Sequence, residues 1–318
     1  MARKSTSPLN SPTVYGGQAV IEGVMIRGRH YYALAVRRPS GEISTYWSRI
    51  NTYLSGPLRD IPMVRGIVIL IETLLLGIDS LNRSANMAME EEGQSLSGWS
   101  LIAMMGFSLS VGMGLFFLLP LLVVRSMDGF IPSDGLSNAL EGLLRLTIFV
   151  AYIFLIGLMP DIKRVFAYHG AEHMSVHAYE HGVPLEIDQV RVYPKAHNRC
   201  GTAFLLVVMM VAIVVFILVG RPSLPISIIS RIILIPIIAS ISYEIIRFSG
   251  FHAKNLLVRA FMYPSIALQS ITTKIPDDGQ IEVAICAMKL AISLEEGCSD
   301  ATVLNGSSDT NSISSGGT

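Results

Sequence analysis

The chain has 318 residues, 51% of them hydrophobic and only 15% charged, with zero formal net charge and a mean hydropathy of +0.52. Soluble domains carry about 25% charged residues, so this composition excludes an ordinary soluble protein and points to an integral membrane protein. Zero net charge leaves no electrostatic footprint for nucleic acid, and three scattered cysteines, Cys200, Cys286 and Cys298, make no disulfide framework and fit a reducing compartment.

Residues 1–13 are basic and then polar, with no apolar core of a signal peptide, and are expected to be disordered. Residues 14–60 follow as a cytoplasmic segment. "YGGQAVIEGVMIRG" sets Gly16, Gly17, Gly23 and Gly28 around an apolar run. Its spacing fits neither the dinucleotide fingerprint nor the P-loop, so it reads as a bent strand with a close backbone approach rather than a phosphate cradle. "YYALAVRRPSGEISTYW", residues 31–47, reads as a β-hairpin turning at the Pro-Ser-Gly. Over 61–83, Arg65, Glu72, Asp79 and Arg83 fall in one narrow helical stripe on an otherwise apolar surface. This predicts an amphipathic helix at the membrane interface or packed on the bundle, with a fifth span as the alternative.

Four segments are long and apolar enough to cross a bilayer: 101–124, 142–159, 203–219 and 228–248. Pro120 and Pro236 are expected to kink their helices. Ten Lys/Arg precede the first span, five lie in 160–202 and four follow Arg247, against Arg125 and Arg221 alone in the other connections. The positive-inside rule then puts both termini and the 160–202 loop in the cytoplasm. Within 249–296, "IPDDGQIEVAICAMKLAI" predicts a helix capped by Asp277 or Asp278, running to about Ser293, with Ile281, Ile285, Met288 and Ile292 on an apolar face. Residues 297–318 are Ser/Gly/Asn-rich and expected to be disordered. The fold class is therefore a mainly α membrane protein: a four-helix transmembrane bundle, an additional amphipathic helix, and a small cytoplasmic α+β part.

The 160–202 loop carries "YHGAEHMSVHAYEHG", residues 168–182, with four of the seven histidines: His169, His173, His177 and His181. On a helix they lie at about 0°, 40°, 80° and 120°, with Glu180 near 20° and Glu172 near −60°. His169 and His181 are about 18 Å apart along the axis and cannot share one ion, whereas neighbours about 6 Å apart can. "HGAEH" has the inverted zinc-peptidase spacing: His169 and His173 as ligands, Glu172 as general base on a metal-bound water. Glu244, His197 and Cys200, on the same membrane side, are third-ligand candidates. A solvated face and a buried, metal-free polar network are the alternatives.

"YGGQAVIEGVMIRG", "HGAEHMSVHAYE", "RCGTAF" and "PDDGQIEVAI" together resemble the YqhQ-like family, domain of unknown function 1385. The resemblance implies a bacterial multi-pass protein of the cytoplasmic membrane, of a kind labelled predicted metal-dependent enzymes. It marks Gln18, Glu22, His169, Glu172, His173, His177, Glu180, Cys200 and Glu282. Met174 and Asn198 stand where the family usually has Lys and Pro, and His181 is outside its motif. The function expected is a metal-dependent hydrolase at the cytoplasmic membrane face, using a zinc-like divalent ion on a peptide or lipid-derived substrate. Membrane lipid and a membrane protein or peptide are the expected partners, and nucleic acid is not. A non-enzymatic assembly or scaffold protein is the alternative. A proton-coupled transporter is disfavoured because the spans carry almost no ionisable residue near the bilayer centre.

Overall fold

Antiparallel strands β1 (Gly16–Val20), β2 (Gly23–Arg27), β3 (Tyr31–Arg37) and β4 (Ile43–Arg49) form a meander in chain order. The computed structural model describes residues 14–50, 61–89, 98–197, 200–252 and 255–297; the disorder expected over 1–13 and 297–318 falls, Gly297 apart, outside the described residues. The glycine-rich segment is two strands rather than one bent strand, because the chain reverses at Ile21–Glu22, where Glu22 takes a φ of 52°. Both sheet faces are covered. Val24, Ile26, Ala33 and Ala35 share a core with the helices below, while Val20, Met25, Leu34 and Val36 pack on Leu76, Met87 and Ala88. Burial on both faces explains the nearly continuous apolar run.

Helix α1 (Val64–Ala88) turns its charged stripe toward protein. Arg65 meets Glu244, Glu72 lies 3.8 Å from Arg27, and Asp79 accepts from Tyr32 at 2.6 Å and Arg83 at 2.9 Å. The opposite face leaves Ile71, Leu74, Leu75 and Leu81 exposed. Charge inward and hydrocarbon outward is the arrangement that lipid, not water, favours.

Among the described residues, three helical stretches are long and apolar enough to cross a membrane, and four if a bent pair counts as one. The first is Ala103–Ser126, in which α2 (Gly98–Met113) passes through a π turn at Gly114–Leu118 into α3 (Leu119–Ser126). Pro120 has no N–H for the Phe116 carbonyl, and Arg145 Nε donates to that carbonyl instead at 2.8 Å. The others are α4 (Asp134–Ile156), α7 (Gly201–Val219), and α8 (Leu224–Ile233) joined to α9 (Ile235–Phe251) through a 45° bend beside Pro236. Phe107, Leu218 and Ile233 are among the large apolar side chains they leave bare.

Helix α4 starts eight residues before the expected 142, and the charges in its first half are neutralised inside the bundle. Glu141 and Arg145 are each 1% exposed and pair at 2.7 Å; Arg231 of α8, 3% exposed, reaches Glu141 at 2.9 Å. Arg145 therefore stands midway along α4, an ionisable residue near the middle of a span, where almost none was expected.

Pro160 begins α5 (Pro160–Glu180), and Gly182, at φ 67°, follows its end; α6 (Ile187–Val190) is a single turn. Asp277 caps α11 (Asp278–Glu295) in a reciprocal capping box with Gln280. Wedged between the sheet and α5, α11 buries Val283, Ala287 and Leu290 as well as the expected Ile281, Ile285 and Met288. Between α9 and α11 lies α10 (Leu256–Thr272), an element missing from the sequence reading, whose Leu268 packs on Phe149, Ile153, Leu206 and Met209.

Helix α5 crosses the 273–276 segment at Gly170, where an added methyl would overlap the Lys274 carbonyl. Backbone cannot retreat as a side chain can. Gly170→Ala is expected to lower stability by about 1–3 kcal/mol despite the better helix propensity of alanine. Thermal unfolding in detergent checks it; an unchanged or higher midpoint contradicts the crossing.

Candidate metal centre

Helix α5 presents His169, Glu172, His173, His177 and Glu180 to the turn that enters α7, which carries His197 and Cys200. One turn of helix separates His169 from His173, and their rings lie 4.4 Å apart. His169 Nδ1 lies 2.9 Å from the Thr272 carbonyl and His173 Nδ1 2.7 Å from that of Lys195. A carbonyl only accepts, so both rings hold their proton on Nδ1 and keep an Nε2 lone pair free. This is the outer-shell arrangement typical of metal-binding histidines. His169 Nε2 is 3.2 Å from Cys200 Sγ, and ligand atoms of His169, His173 and Cys200 all lie within 4.8 Å of one another.

These residues border a cavity with about 30 Å³ of space open to water, walled also by Tyr15, Gly16, Gly17, Glu172, Val176, His197 and Gly201. That is room for an ion and a water. Glu172 is 4% exposed, with Oε2 3.4 Å from His173 Nε2 and a hydrogen bond from the Gly17 backbone. A methyl on Gly17 would lie 2.7 Å from Glu172 Cγ, so the glycine permits the strand to close on the carboxylate. The close backbone approach read from the two glycines is thus located at the cavity wall.

Burial dominates the electrostatics. It raises Glu172 to about 7, lowers His173 to about 3 with His169 assisting, lowers His197 to about 4 with His177 assisting, and pushes the Cys200 thiol up. In metal-free protein each of these histidines binds its proton more weakly folded than unfolded, whereas Glu172 binds its proton more tightly. Between about pH 6 and 5 the unfolded chain therefore holds about two protons at the two histidines, while the folded chain holds about one, at Glu172. The net difference of one proton predicts that stability falls by about 1.4 kcal/mol per unit of acidification across that window. Unfolding midpoints measured on chelator-treated protein across this range check it, and a midpoint rising on acidification contradicts it.

A second set lies further along α5: ligand atoms of His177, Glu180 and His197 are also within 4.8 Å of one another. By ligand-atom distance His197 thus groups with the distal residues, while it also lines the first cavity. His181 caps the helix, is exposed, and joins neither set. Glu244, also expected as a possible third ligand, lies elsewhere: its carboxylate accepts from Arg65 Nε at 2.6 Å and sits against α1. Gln18 lies against Gly77 of α1, Glu22 accepts from Arg164 and Tyr168, and Glu282 pairs with Arg37 at 2.7 Å. None of these four lines the cavity.

Residues that hold the site and escaped the sequence reading come mainly from α10. Gln269 exchanges two hydrogen bonds with the His197 backbone, at 2.8 and 2.9 Å, and Thr272 offers the carbonyl that orients His169. Tyr15 was unmarked as well. A buried glutamine near a helix end is too common for its type or spacing to signal such a role.

No solved structure matches the chain. It is 33% identical over 298 residues to "Uncharacterized protein YqhQ" of Bacillus subtilis (strain 168), covering 89% of this chain and 94% of that one. The model of the family described as "Protein of unknown function (DUF1385)" matches residues 61–294, which hold the whole histidine helix, Cys200 and Gln269, and the chain belongs to that family.

Proposed function

We propose that the protein is a polytopic membrane enzyme that binds a zinc-like divalent ion at His169, His173 and Cys200 and uses it for hydrolysis at the cytoplasmic face. One observation carries this reading: two Nε2 atoms, oriented by backbone carbonyls, converge with a buried thiol beside a carboxylate that is not among the three. Three protein ligands with a vacant fourth direction is the pattern of catalytic zinc sites, as distinct from closed structural ones. A bound divalent ion would lower the pKa of a water to about 7. Glu172 is the group that would accept a proton from a water in the cavity and return it to a leaving group, with the Gly17 backbone holding its carboxylate in place. The cavity admits water but no side chain of a substrate. A scissile bond therefore approaches past Gly16, where an added methyl would meet nothing, rather than past Gly17, which closes on Glu172.

Lipid contact follows from the bare apolar faces of the spans and of α1. Cytoplasmic placement of both termini and of the site rests on the Lys/Arg distribution. The substrate class that fits this address is a peptide or lipid-derived bond presented at the membrane surface.

Metal content of protein purified without chelators tests the reading. About one equivalent is expected at this centre, and none there after His169→Ala/His173→Ala. Equal, sub-stoichiometric metal in both would leave the histidines as a packing network. That competing role draws on the carbonyl each of the four also meets.

A further inference from the structure

We infer that His177, Glu180 and His197 form a second cation position, separate from the first centre. The helix spacing decides the separation: the midpoints of the two α5 pairs, 169/173 and 177/180, lie about 11 Å apart along the axis. Co-catalytic ions stand roughly 3.5–4 Å apart, so the second position is not half of a two-metal centre. Its ligands differ too. Two imidazoles and a carboxylate, with no sulfur, suit zinc and its neighbours and lack the thiolate that marks the first centre.

Local geometry supports it. The His177 and His197 rings meet at 4.6 Å, edge to face, and His197 Nε2 stands 3.4 Å from Glu180 Oε2. Gln269 holds the His197 backbone through both its N–H and its carbonyl, so the base of this imidazole is fixed by α10. His177 is half-buried and Glu180 exposed, so the position opens to solvent where the first is enclosed. The same turn carries Cys200, whose N–H donates to the His197 carbonyl at 3.4 Å. An ion at the second position would therefore tie the His197 backbone to α5 beside the first centre. This assigns the distal half of the histidine row a cation position of its own.

Cobalt(II) titration of the full-length protein in lipid nanodiscs separates the two positions, because only a thiolate ligand gives an intense sulfur-to-cobalt charge-transfer band. The expected result is two equivalents bound by the wild type. His177→Gln/Glu180→Gln then binds one with the charge-transfer band intact, and Cys200→Ala binds one with the band lost. Glu180→Gln alone, at an exposed position, guards against misfolding of the double variant and is expected to weaken the second equivalent at least tenfold. One equivalent in the wild type, unchanged by the distal variants, overturns the second position and leaves the first intact. One equivalent lost only in the distal variants, with no charge-transfer band at any stage, supports the second position and overturns the first. No binding by the wild type overturns both.

Discussion

Glu141→Ala is expected to lower the unfolding free energy by about 3–5 kcal/mol, the cost of removing one partner from a buried ion pair. Glu141 accepts from Arg145 at 2.7 Å and from Arg231 at 2.9 and 3.1 Å, and Arg221 stands 4.0 Å away. The two nearest arginines are almost entirely buried, so losing the carboxylate strands two guanidinium charges among apolar helices. Some compensation remains, since Arg145 keeps the Phe116 carbonyl and both arginines lie over the Phe216 ring, at 5.1 and 4.3 Å. Such contacts are worth only about 0.5–2 kcal/mol each and do not replace a countercharge. Glu141→Ala/Arg231→Met should recover part of the loss by removing one stranded cation. Thermal unfolding in detergent reads both variants, and a single variant within about 1 kcal/mol of wild type would sink the account.

Glu172→Gln is expected to leave the fold and bound metal unchanged while lowering hydrolysis of a small activated ester by about 10²–10⁴-fold, the usual contribution of a positioned proton acceptor. Glutamine keeps the size of the side chain and an acceptor for the Gly17 N–H, but it cannot take a proton from water. Removing the ligands instead, by His169→Ala/His173→Ala, should abolish both metal and turnover. The contrast between the two variants carries the information. Loss of metal in Glu172→Gln would make Glu172 a ligand rather than a base. Equal turnover in Glu172→Gln and wild type would remove it from the chemistry altogether.

The elements that position the site were unequally legible. The hairpin β3–β4, the Asp277 cap and the histidine helix from Pro160 to Glu180 follow from local signals: a Pro-Ser-Gly turn, an Asp with Gln three residues on, and proline and glycine bracketing a breaker-poor run. Helix α4 was cut short and the α1 stripe was left between two interpretations for a common reason. A charge in an apolar segment reads as a boundary unless its partner is known, and the partners are distant in sequence. Arg231 lies 90 residues from Glu141, and Glu244 lies 179 from Arg65.

By itself the sequence determined the mainly helical class, the position of the apolar stretches, and the helix on which His169, Glu172 and His173 share a side, because periodicity and hydropathy act within one segment. Which groups gather beside that pair was decided by the tertiary structure alone. Cys200 and Glu244 were equal candidates until α1 claimed the glutamate through Arg65, and His197, its backbone held by Gln269, groups with the distal residues. A ligand set is a statement about distances between segments, and those distances are fixed by packing and by the pairing of buried charge, neither of which has a period along the chain.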